Sequence, residues 1–377
     1  MELTIEISSL AHGGDGIGHV EGQVCFIPGA LPGDTVRARV TKRAKRALWA
    51  ETTEILVASP DRLPVTPAGA AGWLHFAYPA QGFWKRRIAK DVLARIGGVH
   101  VEPDWIEDPA LRLGYRTRAE FHGDGQHFGY FAPGTHAIAD TPACPLSHRK
   151  LNEALARLRE LKLKGSVTVT VNPEDVDVLV WTPFTNRRLR AVFAQAQSPR
   201  DEAERATFLF DGVPVVNGAF CQSSLLLNRL LVRTVHEFAG SAESLLDLYC
   251  GSGNLSLGLA GNMRVAGYDH NRSAVAAAAA LGRGEYRAGD ETAMARAIGN
   301  GSWDVIVLDP PRTGAKALTA ALGGAAARAI VYVSCDPATL ARDAKALTER
   351  GWRVTRAVVL DLFPSTPHVE TVCRFER

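Results

Sequence analysis

Five short, mostly apolar runs recur in the second half of the chain: Ser244–Leu248, Arg264–Tyr268, Trp303–Leu308, Ala329–Val333 and Trp352–Leu360. Runs of this length and composition read as strands buried on both faces. The segments between them are long enough for helices, and one contains Ala274–Ala280, a strong helix former. Ser223–Glu237, apolar at helical spacing, leads into the pattern. Strand–helix alternation folds into a parallel sheet covered by helices. Residues 220–377 are therefore expected to form a doubly wound α/β domain. Ligands of such sheets bind outside the carboxyl ends of the strands, so functional residues are sought there.

The first half reads differently. Residues 1–58 hold short runs (Leu3–Ile7, Val24–Ile27, Thr35–Val40, Trp49–Val57) separated by glycine-rich turns. About five strands in so short a stretch suit an OB-like β-barrel, an architecture that reads single-stranded nucleic acid. A Pro/Ala/Gly stretch, Pro60–Gly72, opens a mixed α+β region over 59–219. Helices are expected at Pro79–Ile96 and Leu151–Leu161, and strands at Tyr115–Phe121 and Phe128–Phe131. A hairpin of Val167–Val171 and Val176–Val180 would turn at Asn172–Asp175. The net charge is only +3 over 377 residues, yet basic side chains cluster early: Arg37–Arg46, Lys85–Arg87, Arg112–Arg118 and Arg187–Arg190. Clusters interleaved with aromatics favour RNA, whose phosphates meet Arg and whose bases stack on rings. No run approaches the length of a membrane span. The start alternates like a strand, unlike a signal peptide, so a cytoplasmic location is expected, and a monomer. The six cysteines are scattered, with neither metal-binding pairs nor a disulfide framework.

Asp247-Leu248-Tyr249-Cys250-Gly251-Ser252-Gly253 lies where the first strand should give way to a helix. Its glycines allow close backbone approach to a ligand. The next strand ends in Asp269, placed to accept from both hydroxyls of a ribose. Asp290, after Tyr286-Arg287-Ala288-Gly289, is placed like an acid near an adenine amino group. The third glycine of a dinucleotide fingerprint is missing, which favours S-adenosylmethionine over a nicotinamide cofactor.

Cys335, in Ser334-Cys335-Asp336-Pro337, follows the fourth run directly. A buried structural thiol is the plain alternative, but Asp336-Pro337 ends the strand beside it. A thiolate there suits one chemistry well. Carbon 5 of uracil is a poor nucleophile until a soft nucleophile adds at carbon 6. A base must later take the carbon-5 proton so that the thiol can leave. Glu370 is the candidate, expected in a turn between the last two strands. Asp309-Pro310-Pro311-Arg312 follows another apolar strand. Enzymes that methylate exocyclic amines carry an aromatic at the fourth position of such a motif. Arg312 there argues against an amine target.

These motifs, in this order, resemble the RNA 5-methyluridine methyltransferase family along the whole chain. Ser9–Gly18 with Pro28–Asp34 resembles a TRAM domain. The resemblance implies a class I, Rossmann-like methyltransferase domain with Cys335 as nucleophile and Glu370 as base. Gln222, Tyr249, Gly251, Asp269, Asp290 and Asp309 would border S-adenosylmethionine. Phe220 and Asp309 would contact the uracil, with Arg312 beside it. Ser224 departs from the Asn frequent in the family. Many TRAM-bearing members carry Cys-Gly-Gly-Cys for an iron–sulfur cluster; the corresponding stretch here is Ala68-Gly69-Ala70-Ala71, leaving Cys144 alone. No metal is expected, and packing of Leu63, Trp73, Leu74 and Phe76 should hold that loop instead. The alternatives are methylation of cytidine C5 or an exocyclic amine, or a non-catalytic RNA-binding protein. The substrate, transfer or ribosomal RNA, stays open.

Overall fold

A computed structural model describes residues 2–64, 72–132, 134–184, 186–201 and 204–377. The stretch 68–71 lies outside them. Strands at Glu2–Glu6, Ser9–Leu10, Gly16–Val20, Gln23–Ile27, Thr35–Arg43 and Ala47–Val57 form one six-stranded sheet. It curls around Ile5, Cys25, Ile27, Val36, Ala38 and Leu48. Register shifts between the two long strands supply the bend that such curling needs.

A second six-stranded sheet has Arg118–Asp124 and Lys164–Val171 at its centre, paired antiparallel. The expected hairpin is present, with Val171 opposite Val178. The strand expected at Tyr115–Phe121 instead occupies Arg118–Asp124, because Tyr115 is withdrawn into the core shared with the third sheet. Helix Arg149–Glu160 lays Leu151, Leu155 and Leu158 against Phe121, Val167 and Val169.

The third sheet has eight strands, in the order Glu285–Ala288, Arg264–Asp269, Ser244–Leu248, Val305–Leu308, Ala329–Ser334, Glu370–Glu376, Arg353–Leu360 and Asp104–Ile106. The first five run parallel. Glu370–Glu376 is antiparallel to both of its neighbours. The α/β expectation holds for the element order, with two departures. The turn after Leu248 runs into a succession of turns through Asn262, where a helix was expected. The sheet also recruits Asp104–Ile106, and helix Tyr78–Gly97 packs beside it, with Leu93 in the same core as Leu340 and Ala341. The stretch 59–219 is thus not one contiguous unit: residues 78–106 side with the C-terminal sheet.

Two long-range ties fix these parts. Thr117 N–H donates to Ser223 O at 2.8 Å, where the chain leaves for the second sheet and where it returns. Lys85, on helix Tyr78–Gly97, is fully buried and donates to Asp361 Oδ1 at 2.7 Å. Removing one member of such a buried pair costs about 3–5 kcal/mol, since the other charge is left unpaired. In the loop predicted to replace a metal cluster, Trp73 and Phe76 are buried with their rings edge to face, whereas Leu63 is 43% exposed. Among the described residues no group of three or more His, Cys, Asp or Glu side chains is placed to hold a metal ion.

Candidate active site

The strand Ala329–Ser334 is buried at every residue. It stops because Pro337 lacks an N–H and Asp336 caps the helix Pro337–Thr348. Asp336 Oδ1 accepts from the N–H groups of Ala338 and Thr339, at 2.9 and 3.0 Å. A cap of this kind is worth about 1 kcal/mol. Ser334 Oγ accepts from Asp336 N–H at 3.2 Å and closes the corner. Cys335 is held in that corner, partly buried.

Glu370 differs from its expected place. It is the first residue of a strand and only 2% exposed. Ser334 pairs with Thr371 at the end of the antiparallel ladder, so Cys335 and Glu370 each lie one residue beyond that last pair, at the same edge. The antiparallel direction is what brings the start of this strand to the edge where its parallel neighbours end. Asp309 stands at the same edge, just after Val305–Leu308, and its N–H donates to Leu248 O at 3.3 Å. Gln222 Nε2 donates to Asp309 Oδ2 at 3.3 Å, so Gln222 meets the Asp309 side of the site.

The electrostatics tie these groups together. Burial pushes the Cys335 thiol up to about 11, the carboxylates of Glu370 and Asp309 push it further, and Arg312 opposes them. Burial raises Asp309 to about 7. Glu370 is raised well above the usual carboxylate range by burial, then by Asp309, with Arg312 opposing. Two buried carboxylates of like charge cannot both ionise easily, so this pair holds a proton near neutrality. The resting thiol is protonated as well. Arg312 itself is exposed.

The second group lies on the adjoining strand ends. Tyr249 has φ +59, unusual for a side chain of its size, and burial followed by the charges of Glu291, Asp343 and Asp269 raises its hydroxyl to about 12. Gly251 has φ +53 and open space where a side chain would project. Its N–H donates to Asp269 Oδ2 at 2.9 Å, and Asp269 Oδ1 accepts from Asn271 N–H at 2.7 Å. Asp290 is exposed and caps the helix Glu291–Asn300 through Ala293 N–H at 2.9 Å. Phe220 stands 72% exposed, two residues before Gln222.

Sequence reasoning passed over Asp247. It is fully buried inside an apolar strand, accepts from Ser256 Oγ at 2.6 Å, and its Oδ1 has no hydrogen-bond partner among the described residues. Burial raises it to about 7, opposed by the Ser256 bond and reinforced by Asp309 and Asp269. The signal was a lone acid among leucines, Leu245-Leu246-Asp247-Leu248.

Comparison with known proteins decides the family. Residues 1–53 match the TRAM domain family, and residues 297–377 match the tRNA (Uracil-5-)-methyltransferase family. The 23S rRNA (uracil(1939)-C(5))-methyltransferase RlmD of Azoarcus sp. is 32% identical, covering 99% of this chain and 99% of that protein. The protein of the same name from Chromohalobacter salexigens is 30% identical over 99% of this chain and 89% of its own length. The chain belongs to the RNA uracil-C5 methyltransferase family. The crystal structure of Pyrococcus abyssi tRNA (uracil-54, C5)-methyltransferase with S-adenosyl-L-homocysteine shares the fold, with TM-score 0.78, 24% identity and coverage of 99% and 100% of the two chains. Among the described residues of this methyltransferase no helix is long and apolar enough to cross a membrane.

The paired carboxylates make a stability prediction for this methyltransferase. Asp309 has a folded pKa of about 7 against 3.8 unfolded. Between those values the folded state binds more protons than the unfolded state, so stability falls as pH rises through the window. The cost is absent below it and full above it. Asp309→Asn is expected to raise the melting temperature at pH 8 and not at pH 4. The gain at pH 8 is a few kcal/mol, at about 1.4 kcal/mol for each tenfold change in proton affinity. Equal melting shifts at both pH values would refute the buried-carboxylate account.

Proposed function

We propose that the chain methylates carbon 5 of one uridine in a structured RNA, with Cys335 as nucleophile and Glu370 as base. The observation that carries this reading is that Cys335 and Glu370 flank the last pair of the ladder, Ser334 with Thr371, with the charges of Asp309 and Arg312 acting on both. The residues at the strand ends fit S-adenosylmethionine: an open turn at Gly251, a buried acid at Asp269 and a second acid at Asp290. When bound it supplies an electrophilic methyl group on a sulfonium.

With the carboxylate pair ionised, Cys335 passes its proton to Asp309 and its sulfur bonds to carbon 6, which leaves Glu370 free to act as base. The electron pair of the 5,6 double bond moves onto the ring as an enolate, which makes carbon 5 nucleophilic. Arg312 is the cation beside the site that can offset this charge. After carbon 5 gains the methyl group, Glu370 removes its proton. The double bond re-forms, the Cys335 sulfur leaves, and the thiol regains a proton. Phe220, exposed at the mouth, offers a ring face for the target base. Gln222 orients Asp309 through its hydrogen bond.

The relatives named for 23S rRNA favour ribosomal RNA over transfer RNA as substrate. An RNA substrate of this kind supports a cytoplasmic location. Mapping 5-methyluridine in ribosomal and transfer RNA, with and without this protein, is the test. Unchanged 5-methyluridine in both pools would defeat the proposal.

The RNA contacts are narrower than the basic clusters suggest. Arg37 and Arg39 pair with Glu54 and Glu51 on the barrel. Lys85 is buried on Asp361. Lys42, Lys45 and Arg46 sit exposed at the turn between the long barrel strands, with Lys42 over the Trp49 ring at 4.8 Å. Replacing Lys42, Lys45 and Arg46 by Ala is expected to flatten the salt dependence of RNA affinity. The log–log slope should change by about 0.7 for each lost single-strand phosphate contact. An unchanged slope would place the phosphate contacts elsewhere.

A further inference from the structure

Between Leu360 and Glu370 the chain makes a hairpin loop, and most of that loop is buried. Asp361, Leu362, Ser365, Thr366 and Val369 are each at most 6% exposed. Connections ordinarily lie on the surface, because buried backbone polar groups need partners. Here the partners come from two distant parts of the chain, residues 73–85 and Tyr115. Lys85 Nζ donates to Asp361 Oδ1 at 2.7 Å and to Phe363 O at 2.9 Å. Tyr78 Oη donates to Asp361 Oδ2 at 2.5 Å. Ser365 N–H donates to Gln81 Oε1 at 2.9 Å, while Gln81 Nε2 donates to Trp73 O and Phe76 O. Trp73 N–H donates to Ser365 O at 2.9 Å, and Tyr115 Oη donates to Pro364 O at 3.0 Å.

The barrel closes the remaining side. Gly14, in the turn after His12, has φ +94, and a Cβ there would lie 2.5 Å from Pro367 Cβ. A side chain would push the loop away. Ser365 holds φ +58, a conformation a non-glycine residue keeps only when its surroundings impose it. A buried Lys–Asp pair is often no more stabilising than apolar packing of the same volume, but its directional bonds fix the loop in a way apolar contacts do not.

We propose that Gln81, Lys85, Tyr115 and Gly14 are positioning residues that set the loop 361–369, and through it place Glu370 against Cys335. The proposal rests on Glu370 acting as the base. It also gives the His12-Gly13-Gly14 turn of the barrel a task inside the catalytic unit.

The test uses the full chain with three variants, Tyr115→Phe, Gln81→Leu and Gly14→Ala. Tyr115→Phe removes one hydroxyl and leaves the ring in the core, so it keeps the test open should the others unfold. Each is incubated with labelled S-adenosylmethionine and total RNA from cells lacking the protein, then run on a denaturing gel. A displaced base leaves methyl transfer intact and slows elimination. Methylated RNA–protein adduct should therefore accumulate about tenfold above wild type while turnover falls by about ten- to a hundredfold. A role in stability alone would lower adduct and product together, in step with the melting temperature. That outcome, or normal turnover in folded Tyr115→Phe and Gln81→Leu, overturns the proposal. Glu370→Gln runs alongside. If it builds up no adduct, the assignment of the base fails; if it does and the three variants do not, only the positioning role fails.

Discussion

Cys335→Ala is expected to lose methylation by at least about a thousandfold, the scale on which nucleophile deletions act. Uracil carbon 5 is a poor acceptor of a methyl group without prior addition at carbon 6, and the carboxylate oxygens of Asp309 and Glu370 are far weaker nucleophiles toward that carbon than a thiolate. Folding should survive, because the corner is held by Asp336, Ser334 and Pro337 and not by the thiol. The melting temperature and S-adenosylmethionine affinity of the variant should stay near wild type. RNA carrying 5-fluorouridine should form a stable adduct with the wild type and none with Cys335→Ala, since fluorine cannot leave as a proton does. Methylation by the variant within tenfold of wild type would remove Cys335 from the mechanism.

Glu370→Gln should fail at the opposite end of the reaction. The amide cannot accept the carbon-5 proton, so the methylated base stays bonded to Cys335 after methyl transfer. Loss of a positioned base costs about 10²–10⁴ in rate. The observable is an RNA–protein adduct that carries the labelled methyl group and survives denaturation. The pH profile of the wild type follows from the same residues. The base must be ionised, so kcat/KM should rise with pH through the raised range of the Asp309–Glu370 pair and then level off. Asp309→Asn removes the charge that helps to raise Glu370, and its residual activity should begin at lower pH. Normal turnover by Glu370→Gln would pass the role of base to Asp309.

The place of Cys335 at a strand-to-helix corner could be read from the sequence because its determinants are local. A strand of apolar residues, one cysteine and a capping Asp-Pro pair lie within a few positions of one another. The same is true of Asp309 and Asp269, which end apolar strands. Glu370 was recognised as a residue but misplaced, because Pro367-His368 beside it reads as a turn. Its strand is specified by two neighbours already in the sheet, which no local window contains. Glu285–Ala288 was missed because three of its four side chains face solvent at a sheet edge. Asp104–Ile106 is short and polar at its start, and only pairing with Val358–Leu360 makes it a strand. The basic run Lys85-Arg86-Arg87 looked like one surface, yet Lys85 points into the protein to a partner far along the chain. Charge counts cannot separate a buried cation from a solvated one.

The bond between Thr117 and Ser223 has a bearing on how such enzymes diversify. The second sheet leaves the catalytic framework and rejoins it at nearly one point, so it is an insertion whose two ends already touch. Exchanging such a segment for another adds little closure entropy, whatever the length of the newcomer. A lineage could therefore exchange the stretch between these two residues while the strand ends of the third sheet stay as they are. Gln222 marks the limit of that freedom: it lies inside the exchangeable stretch yet bonds to Asp309, so any replacement would have to end on a residue that can reach the same carboxylate.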